Sequence, residues 1–224
     1  MPVSKRIKEI CEYINNNSRV ADIGCDHGYL ILEAIASKKI LYAQLIDNKI
    51  APLEKAKTNL KNIKLNMDYT LSDGLDDLTP IIDTVVIAGM GGILIKEILQ
   101  KNLVKLENRN LIIQANNNLE RLREFLYNNL IYPVSEKIIF EKSYFYQIMY
   151  LKKEKTIKKY NFEDLYLGMK LKNSNSVILK KYCSMELKKY EKIKEDVSEN
   201  KDIELIEKKI NVLRKTLRRF INKT

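Results

Sequence analysis

The chain has 224 residues, of which 45% are hydrophobic, and it carries a net charge of +11. Its single histidine excludes a multi-histidine metal site, and no apolar run approaches the roughly 20 residues of a membrane-spanning helix. The three cysteines are widely spaced and the N-terminus lacks a secretion signal, so we expect reduced packing thiols and a cytoplasmic protein. We therefore expect neither metal nor membrane as a partner, and a monomer is the simplest expectation.

The positive charge is concentrated in the last third of the chain. Residues 152–224 hold 21 Lys and Arg against 11 Asp and Glu, whereas residues 1–151 are nearly balanced. A basic segment of this kind is typical of proteins that bind a polyanion such as RNA. The alternative is an ordinary solvated helical surface in a lysine-rich chain.

Apolar spacing predicts alternating helices and strands through residue 152. An amphipathic helix is predicted over 4–15. It is followed in order by strand 19–24, helix 29–38, strand 40–47, helix 52–61, strand 67–71, strand 82–88, helix 93–100, strand 110–114, helix 119–129 and an antiparallel pair over 132–152. This alternation indicates an α/β fold with a mostly parallel, doubly wound sheet that binds ligands at the C-terminal ends of its strands.

Beyond residue 155 the apolar period becomes that of a coiled coil. Ile206, Ile210, Leu213, Leu217 and Phe220 are spaced alternately by four and three residues, and a similar stripe runs from Leu179 to Val197. The polar run 198–202 is a predicted turn between the two helices, and a shorter helix is predicted near 163–172. We therefore expect an α/β domain over 1–154 and a small all-α domain over 155–224.

The run Asp22-Ile-Gly24-Cys-Asp26-His27-Gly28 follows the first predicted strand. A glycine turn there lets the backbone approach a nucleotide, but the pyrophosphate of a dinucleotide would be repelled by two carboxylates. A cationic nucleoside would be attracted, and S-adenosylmethionine carries both a sulfonium and an ammonium group. Asp22 as a turn-capping carboxylate and His27 as a loop histidine bonded to the backbone are the alternatives.

Three further positions follow predicted strands. Asp47 lies about 20 residues after the glycine turn, where a carboxylate accepts both ribose hydroxyls or complements a helix N-terminus. Asp73-Gly74 lies where a side chain meets an adenine edge, although a plain turn gives the same pattern. Three glycines within residues 89–92 indicate a close backbone approach to ligands, a tight strand-to-helix turn, or both.

Together, residues 3–6, the run ADIGCDHGYL at 21–30, residues 72–75, VVIAGMGG at 85–92 and Gln114-Ala115-Asn116 resemble the bacterial tRNA adenine-22 N1-methyltransferase family. The resemblance covers essentially the whole chain and implies a Rossmann-like class I methyltransferase domain with a C-terminal coiled-coil domain. It also implies methyl transfer from S-adenosylmethionine to N1 of adenine 22 in tRNA. The family's usual Gln-Pro-Asn is Gln114-Ala115-Asn116 here, which predicts a less rigid turn.

The resemblance implies a set of site residues. Its cofactor-binding pattern falls on Arg6, Asp22, Gly24, Asp26, His27, Asp47, Asp73, Gly74, Gly89 and Met90. Arg6 is expected to pair with the cofactor's carboxylate, or else to be an exposed helix-terminal arginine. Asp26, Asn116 and Tyr146 are the catalytic candidates that would receive the target adenine, while core packing is the alternative for the neighbouring Tyr144 and Phe145.

Other functions stay open from sequence alone. The chain has Ala-Gly-Met-Gly at 88–91, where enzymes that methylate the exocyclic amine of adenine carry an Asx-Pro-Pro-aromatic motif, and this argues against that chemistry. A methyltransferase for another RNA, or a non-catalytic RNA-binding protein that uses only its coiled coil, fits the same residues. In each case we expect the basic helical domain to contact the phosphate backbone without reading sequence.

Overall fold

A seven-stranded sheet organises the first two thirds of the chain. The computed structural model describes residues 3–37, 39–196 and 201–221. The strands are β1 (Ser18–Ile23), β2 (Ile40–Asp47), β3 (Asn66–Leu71), β4 (Thr84–Met90), β5 (Asn110–Ala115), β6 (Ile131–Glu141) and β7 (Tyr144–Lys153). Their spatial order is β3-β2-β1-β4-β5-β7-β6. The first five are mutually parallel, and β7 runs antiparallel between β5 and β6. The predicted parallel sheet with a closing antiparallel pair is confirmed.

Helices cover both faces of this sheet. They are α1 (Lys5–Cys11), α2 (Tyr29–Ala36), α3 (Ile50–Leu60), α4 (Gly92–Lys101) and α5 (Leu119–Asn128), with a short 3-10 helix at Leu103–Leu106. One apolar core contains residues of α4 and α5, and the other contains residues of α1, α2 and α3. The first helix is shorter than the predicted 4–15 because the chain turns tightly after Cys11, where Tyr13 and Ile14 donate to carbonyls only three residues back.

The C-terminal segment forms α6 (Phe162–Tyr166), a 3-10 turn at Leu171–Asn173, α7 (Val177–Asp196) and α8 (Lys201–Ile221). The last two are antiparallel, since Lys194 pairs with Glu207 at 2.7 Å and Arg214 with Glu191 at 2.8 Å. The predicted apolar stripes meet between them, with Cys183 and Leu213 fully buried. Of the predicted turn, residues 198–200 lie outside the described residues, as does Val197, whereas residues 201 and 202 belong to α8.

The helix predicted over 163–172 is wrong in its second half. Helix α6 ends at Tyr166, and Gly168 then adopts a φ of +107°, which the right-handed helix excludes. A Cβ at Gly168 would come within 2.7 Å of the Arg123 and Glu136 side chains, so the chain passes tightly over the sheet domain here. Ile138 and Phe145 of the β6–β7 hairpin share an apolar cluster with α7 and α8. The domain boundary at 154/155 stays a prediction.

None of the helices in the described part of the chain is both long and apolar enough to cross a membrane. The three cysteines are free and buried, as predicted for packing thiols. Burial raises the pKa of the Cys11 thiol to about 12 and also raises the pKa values of Cys25 and Cys183. These thiols are therefore protonated and unreactive at neutral pH.

Candidate active site

The glycine turn after β1 opens a cavity at the C-terminal edge of the sheet. The amides of Gly24 and Cys25 both donate to the carbonyl of Ile46, at 2.8 and 3.2 Å, which ties the turn to the end of β2. Gly24 has a φ of +72°, a conformation that residues with a Cβ rarely adopt. The cavity has a volume of about 270 Å³ and is lined by both acids of the turn, Asp22 and Asp26, and by Arg6. Negative and positive groups thus face the same space.

The two acids of the turn differ in their environments. Asp22 is buried, and this burial, together with the nearby charges of Asp47 and Asp26, raises the pKa of its carboxyl to about 7. The Asp26 side chain is 71% exposed, and its carboxylate lies 3.6 Å from Nε2 of His27. A cation bound in this cavity would offset the repulsion among the carboxylates and lower the pKa of Asp22.

His27 lies at the mouth of this cavity. Its ring stacks on Tyr29 with centroids 5.4 Å apart, and its backbone carbonyl accepts a hydrogen bond from Nδ2 of Asn59 at 2.9 Å. The bond from Asn59 fixes the backbone of His27, and His27 is one of the residues that line the cavity. Its role in binding the cofactor stays a prediction.

A second cavity of about 110 Å³ lies beside the first and is lined by Asp47, Asp73 and Gly74. Oδ1 of Asp47 accepts a hydrogen bond from the amide of Lys49 at 3.0 Å, and Asp73 pairs with Lys101 at 2.8 Å. Asp47 thus supports the start of α3 through one carboxylate oxygen.

The two cavities share part of their lining. Met90 and Gly24 line both of them. An ideal Cβ built on Gly24 would be 2.1 Å from Cε of Met90, so the methionine side chain packs closely against the glycine. A larger residue at position 24 would therefore collide with Met90.

A chain of hydrogen bonds crosses the edge between β4 and β5. Nη1 of Arg6 donates to Oε1 of Gln114 at 3.0 Å, and Nε2 of Gln114 donates to Oδ1 of Asn116 at 3.0 Å. Nδ2 of Asn116 donates to the carbonyl of Gly89 at 2.6 Å, and its amide donates to the carbonyl of Met90 at 2.8 Å. These bonds orient Asn116 although the residue before it is Ala115 and not a proline.

Gln114 is a site residue to which sequence analysis assigned no role. It is fully buried at the end of the apolar run 111–113. A polar residue at the end of a buried strand needs a hydrogen-bond partner, which is the signal that could have identified it.

Tyr146 lies beside Arg6 at the same edge. The guanidinium carbon of Arg6 is 5.3 Å from the centroid of the half-buried Tyr146 ring. The β5–β7 ladder ends at the pair Gln114 and Ile148, so Asn116 and Tyr146, each two residues further on, extend past the same end. Helix α1 is held here because the amides of Lys5 and Arg6 donate to the carboxylate of Glu141 at 2.6 and 3.1 Å.

The structure thus brings the sequence-predicted residues to one edge of the sheet. Those lining the first cavity are Arg6, Asp22, Gly24, Asp26, His27, Gly89 and Met90, and those lining the second are Asp47, Asp73, Gly74 and again Gly24 and Met90. Asn116 joins them through Gly89, and Tyr146 joins them through Arg6. Their individual roles stay predictions.

Known proteins are similar to this chain in sequence and in fold. A curated Bacillus subtilis protein, the tRNA (adenine(22)-N(1))-methyltransferase, is 32% identical over 95% of this chain and 93% of its own length. A Streptococcus pneumoniae structure with S-adenosyl-L-methionine has a TM-score of 0.86 at 27% identity, covering 96% of this chain and 100% of that one. Mycoplasma capricolum TrmK with S-adenosyl-homocysteine has a TM-score of 0.84 at 28% identity, covering 96% and 97%.

A family model that matches most of the chain places it in the same group. The model described as TrmK, tRNA (adenine(22)-N(1))-methyltransferase, matches residues 20–221, which include both the glycine turn and the C-terminal helices. The chain therefore belongs to the tRNA (adenine(22)-N(1))-methyltransferase family.

Proposed function

We propose that this protein transfers a methyl group from S-adenosylmethionine to N1 of adenine 22 in tRNA. The observation that carries the proposal is the joint presence of Asp22, Asp26 and Arg6 around one cavity at the end of β1. Acids complement the ammonium and sulfonium groups of S-adenosylmethionine, and a guanidinium complements its carboxylate. Family membership supports the same substrate and the same atom.

The residues present fit this cofactor. The first cavity would hold the methionine portion, with Arg6 at its carboxylate and the acids of the turn at its cationic groups. The second cavity would hold the adenosine portion, with the ribose hydroxyls on Asp47 and the adenine beside Asp73 and Gly74. When bound, the cofactor supplies a methyl group activated by the positively charged sulfur.

The reaction requires little general acid–base catalysis from the protein. N1 of neutral adenine carries a lone pair and no proton, so it attacks the methyl group without a general base. The protein must hold N1, the methyl carbon and the sulfur in line and stabilise the cationic product. Asn116 and Tyr146 would hold the base, and the exposed carboxylate of Asp26 would stabilise its positive charge.

Adenine 22 must expose its N1 before this attack. If N1 is paired in the tRNA, unstacking the base costs a few kcal/mol, which contacts elsewhere on the tRNA must offset. The basic helices α7 and α8 would supply such contacts by pairing with phosphates, which position the substrate without reading its sequence.

The activity is tested by incubating the protein with labelled S-adenosylmethionine and two unmodified transcripts. One carries adenine at position 22 of the tRNA and the other carries guanine there. We expect labelled 1-methyladenosine after digestion of the first transcript and no label in the second. A different methylated nucleoside would favour another RNA methyltransferase, and no binding of S-adenosylmethionine by calorimetry would favour a non-catalytic RNA-binding protein.

The role of Asp26 is tested with Asp26→Ala. Because this side chain is exposed, its removal should leave the fold intact while methyl transfer is lost. Circular dichroism and thermal melting check the fold. Near-normal turnover would remove Asp26 from the catalytic residues.

A further inference from the structure

A third cavity, the interdomain cleft, lies between the loop after β5 and the C-terminal helices. It has a volume of about 580 Å³ and is lined by residues 116–121 on one side and by residues of α6, α7 and α8 on the other. Asn116 belongs to this lining and also donates to the carbonyl of Gly89 in the first cavity. The interdomain cleft is therefore adjacent to the proposed methyl-transfer site, and Asn116 lies between them.

Aromatic rings and cations line the interdomain cleft together. Tyr166 is buried there, and Tyr182 and Tyr190 are half-buried on α7. The ammonium of Lys209 lies 5.1 and 5.3 Å from the ring centroids of Tyr166 and Tyr190 and 2.7 Å from the Glu120 carboxylate, so it is firmly placed. Sites for unpaired nucleotides combine such rings, on which bases stack, with cations that face phosphates.

One cation in this lining is available to a phosphate. Arg121 is exposed and lines the cleft, and it forms no ion pair with any residue that the structure describes. The Tyr166 hydroxyl also lacks a hydrogen-bond partner in the described part of the chain, but it is fully buried, so an occupant of the cleft cannot reach it.

We propose that the interdomain cleft binds an unpaired nucleotide of the tRNA adjacent to adenine 22. Its base would stack on Tyr190, and its phosphate would pair with Arg121. This inference rests on the proposed function and specifies how that substrate is held. The target adenine cannot be the occupant, because it must reach the first cavity, beyond Asn116.

The base next to adenine 22 loses a stacking partner when adenine 22 leaves the helical stack. The ring of Tyr190, next to the active site, would replace that partner and compensate for the lost stacking. The cleft would therefore favour the opened form of the tRNA over the closed form. The excess of positive charge in residues 152–224 suits a phosphate-bearing occupant.

A double-mutant cycle tests the inference. One member is Tyr190→Leu, which keeps an apolar side chain but removes the aromatic face. The other is a tRNA with an abasic residue at position 21 or 23. We expect Tyr190→Leu alone to raise KM for tRNA about tenfold, and an abasic residue at one of the two positions to do the same. Combining the two changes should raise KM little further. Tyr190→Phe should restore most of the loss, and the dissociation constant for S-adenosylmethionine should not change.

The controls separate this inference from the proposed function. Met185→Ala, on the exposed surface of α7 outside the cleft, should leave KM for tRNA unchanged. If Tyr190→Leu fails to fold, Arg121→Gln, at an exposed position, replaces it in the same cycle. An abasic residue keeps the phosphate that Arg121 would contact. We therefore expect the effects of Arg121→Gln and of the abasic residue on KM to be additive. The nucleotide site would be overturned if KM for tRNA were unchanged in both protein variants. It would also be overturned if the effects of Tyr190→Leu and of the abasic residue were fully independent. Neither result would affect the proposed methylation of tRNA by the parent protein. Failure of the parent protein to methylate tRNA would instead overturn both.

Discussion

The guanidinium of Arg123 and the carboxylate of Glu136 form an ion pair 2.9 Å long, with both side chains buried to within 1% of complete. Arg123 also donates to the backbone carbonyls of Leu165 and Tyr166, at 3.1 and 3.2 Å. Glu136 accepts from the amide of Lys170 at 2.7 Å. A single charge pair on α5 and β6 therefore holds the segment that leads from the sheet to the C-terminal helices.

Breaking this pair should be strongly destabilising. Arg123→Met leaves a buried carboxylate and two backbone carbonyls without their partner, so we expect the free energy of unfolding to fall by about 3–5 kcal/mol. Denaturant unfolding measures the change. The control is Glu124→Gln, an exposed position on the same helix, which should shift stability by less than about 0.5 kcal/mol. Equal stability of the two variants would contradict the structural role given to the pair.

Gly92 at the start of α4 is the second position where a small change should have a large effect. A Cβ there would lie 2.6 Å from the carbonyl oxygen of Asn117 and 2.8 Å from that of Asn118. These carbonyl oxygens can make room for a Cβ only if the loop that carries Asn116 moves. We expect Gly92→Ala to lower kcat by about 10- to 100-fold and to cost about 1–3 kcal/mol of stability.

Gly91→Ala is the matched control for this substitution. Its Cβ would meet only the side chain of Asn117, with the nearest atom, Oδ1, at 3.1 Å, and its φ of −71° suits any residue. It should therefore be far milder in both kcat and thermal stability. Similar losses in the two variants would show that the loop is not positioned by close approach to Gly92.

The sheet was predictable from sequence because its elements carry strong local signals. Runs of apolar, β-branched residues such as 85–88 identify buried strands, and glycines and carboxylates after them identify the edge that binds ligands. Every predicted site residue lines one of the two cavities at that edge or contacts a residue that does. Spacing along the chain was sufficient because parallel strands end together.

Contacts between distant segments were not predictable in this way. The hydrogen bond from Arg6 to Gln114, which leads on to Asn116, joins residues 108 positions apart, and no local pattern specifies it. The break after Tyr166 arises because Gly168 passes over Arg123 and Glu136, which belong to other elements. The raised pKa of Asp22 likewise depends on burial and on Asp47, so sequence alone treated this group as an ordinary carboxylate.

Binding of S-adenosylmethionine should depend on the ionisation of Asp22. Its pKa is raised to about 7 by burial and then by Asp47 and Asp26, and a cationic ligand binds the ionised form better. We expect affinity to rise about tenfold between one pH unit below and one above that value, with proton release on binding. Calorimetry in buffers of different ionisation enthalpy measures both. Asp22→Asn should bind more weakly and lose this pH dependence.

The same group should affect stability with the opposite sign. Because the folded-state pKa of Asp22 lies above its ordinary value of 3.8, the folded state holds more protons than the unfolded state between that value and about 7. Its contribution to stability is therefore present at low pH and is lost as pH rises through this window. Asp22→Asn should increase the free energy of unfolding at neutral pH, and the gain should shrink towards pH 4. A gain that does not vary with pH would contradict the raised pKa.

Neutralising exposed lysines of α7 should weaken tRNA binding selectively. We expect the triple variant Lys180→Gln, Lys188→Gln, Lys192→Gln to raise the dissociation constant for tRNA and to flatten its dependence on salt concentration, since fewer counterions are released. Affinity for S-adenosylmethionine should be unchanged.

The matched control neutralises three exposed lysines elsewhere. Lys55, Lys61 and Lys64 lie on α3 or between α3 and β3, away from both cavities of the active site and from the C-terminal helices. Their replacement by glutamine removes the same total charge. Equal losses of tRNA affinity in the two triple variants would indicate a general effect of net charge instead of binding by the helices.

The measurement closest to the central claim is the position of the transferred methyl group. Unmodified tRNA is incubated with the protein and labelled S-adenosylmethionine, cleaved with a base-specific ribonuclease and mapped by mass spectrometry. We predict one labelled methyl group per molecule, on the adenine at position 22. A methyl group at any other position, or none in any tRNA that carries adenine 22, would contradict the account.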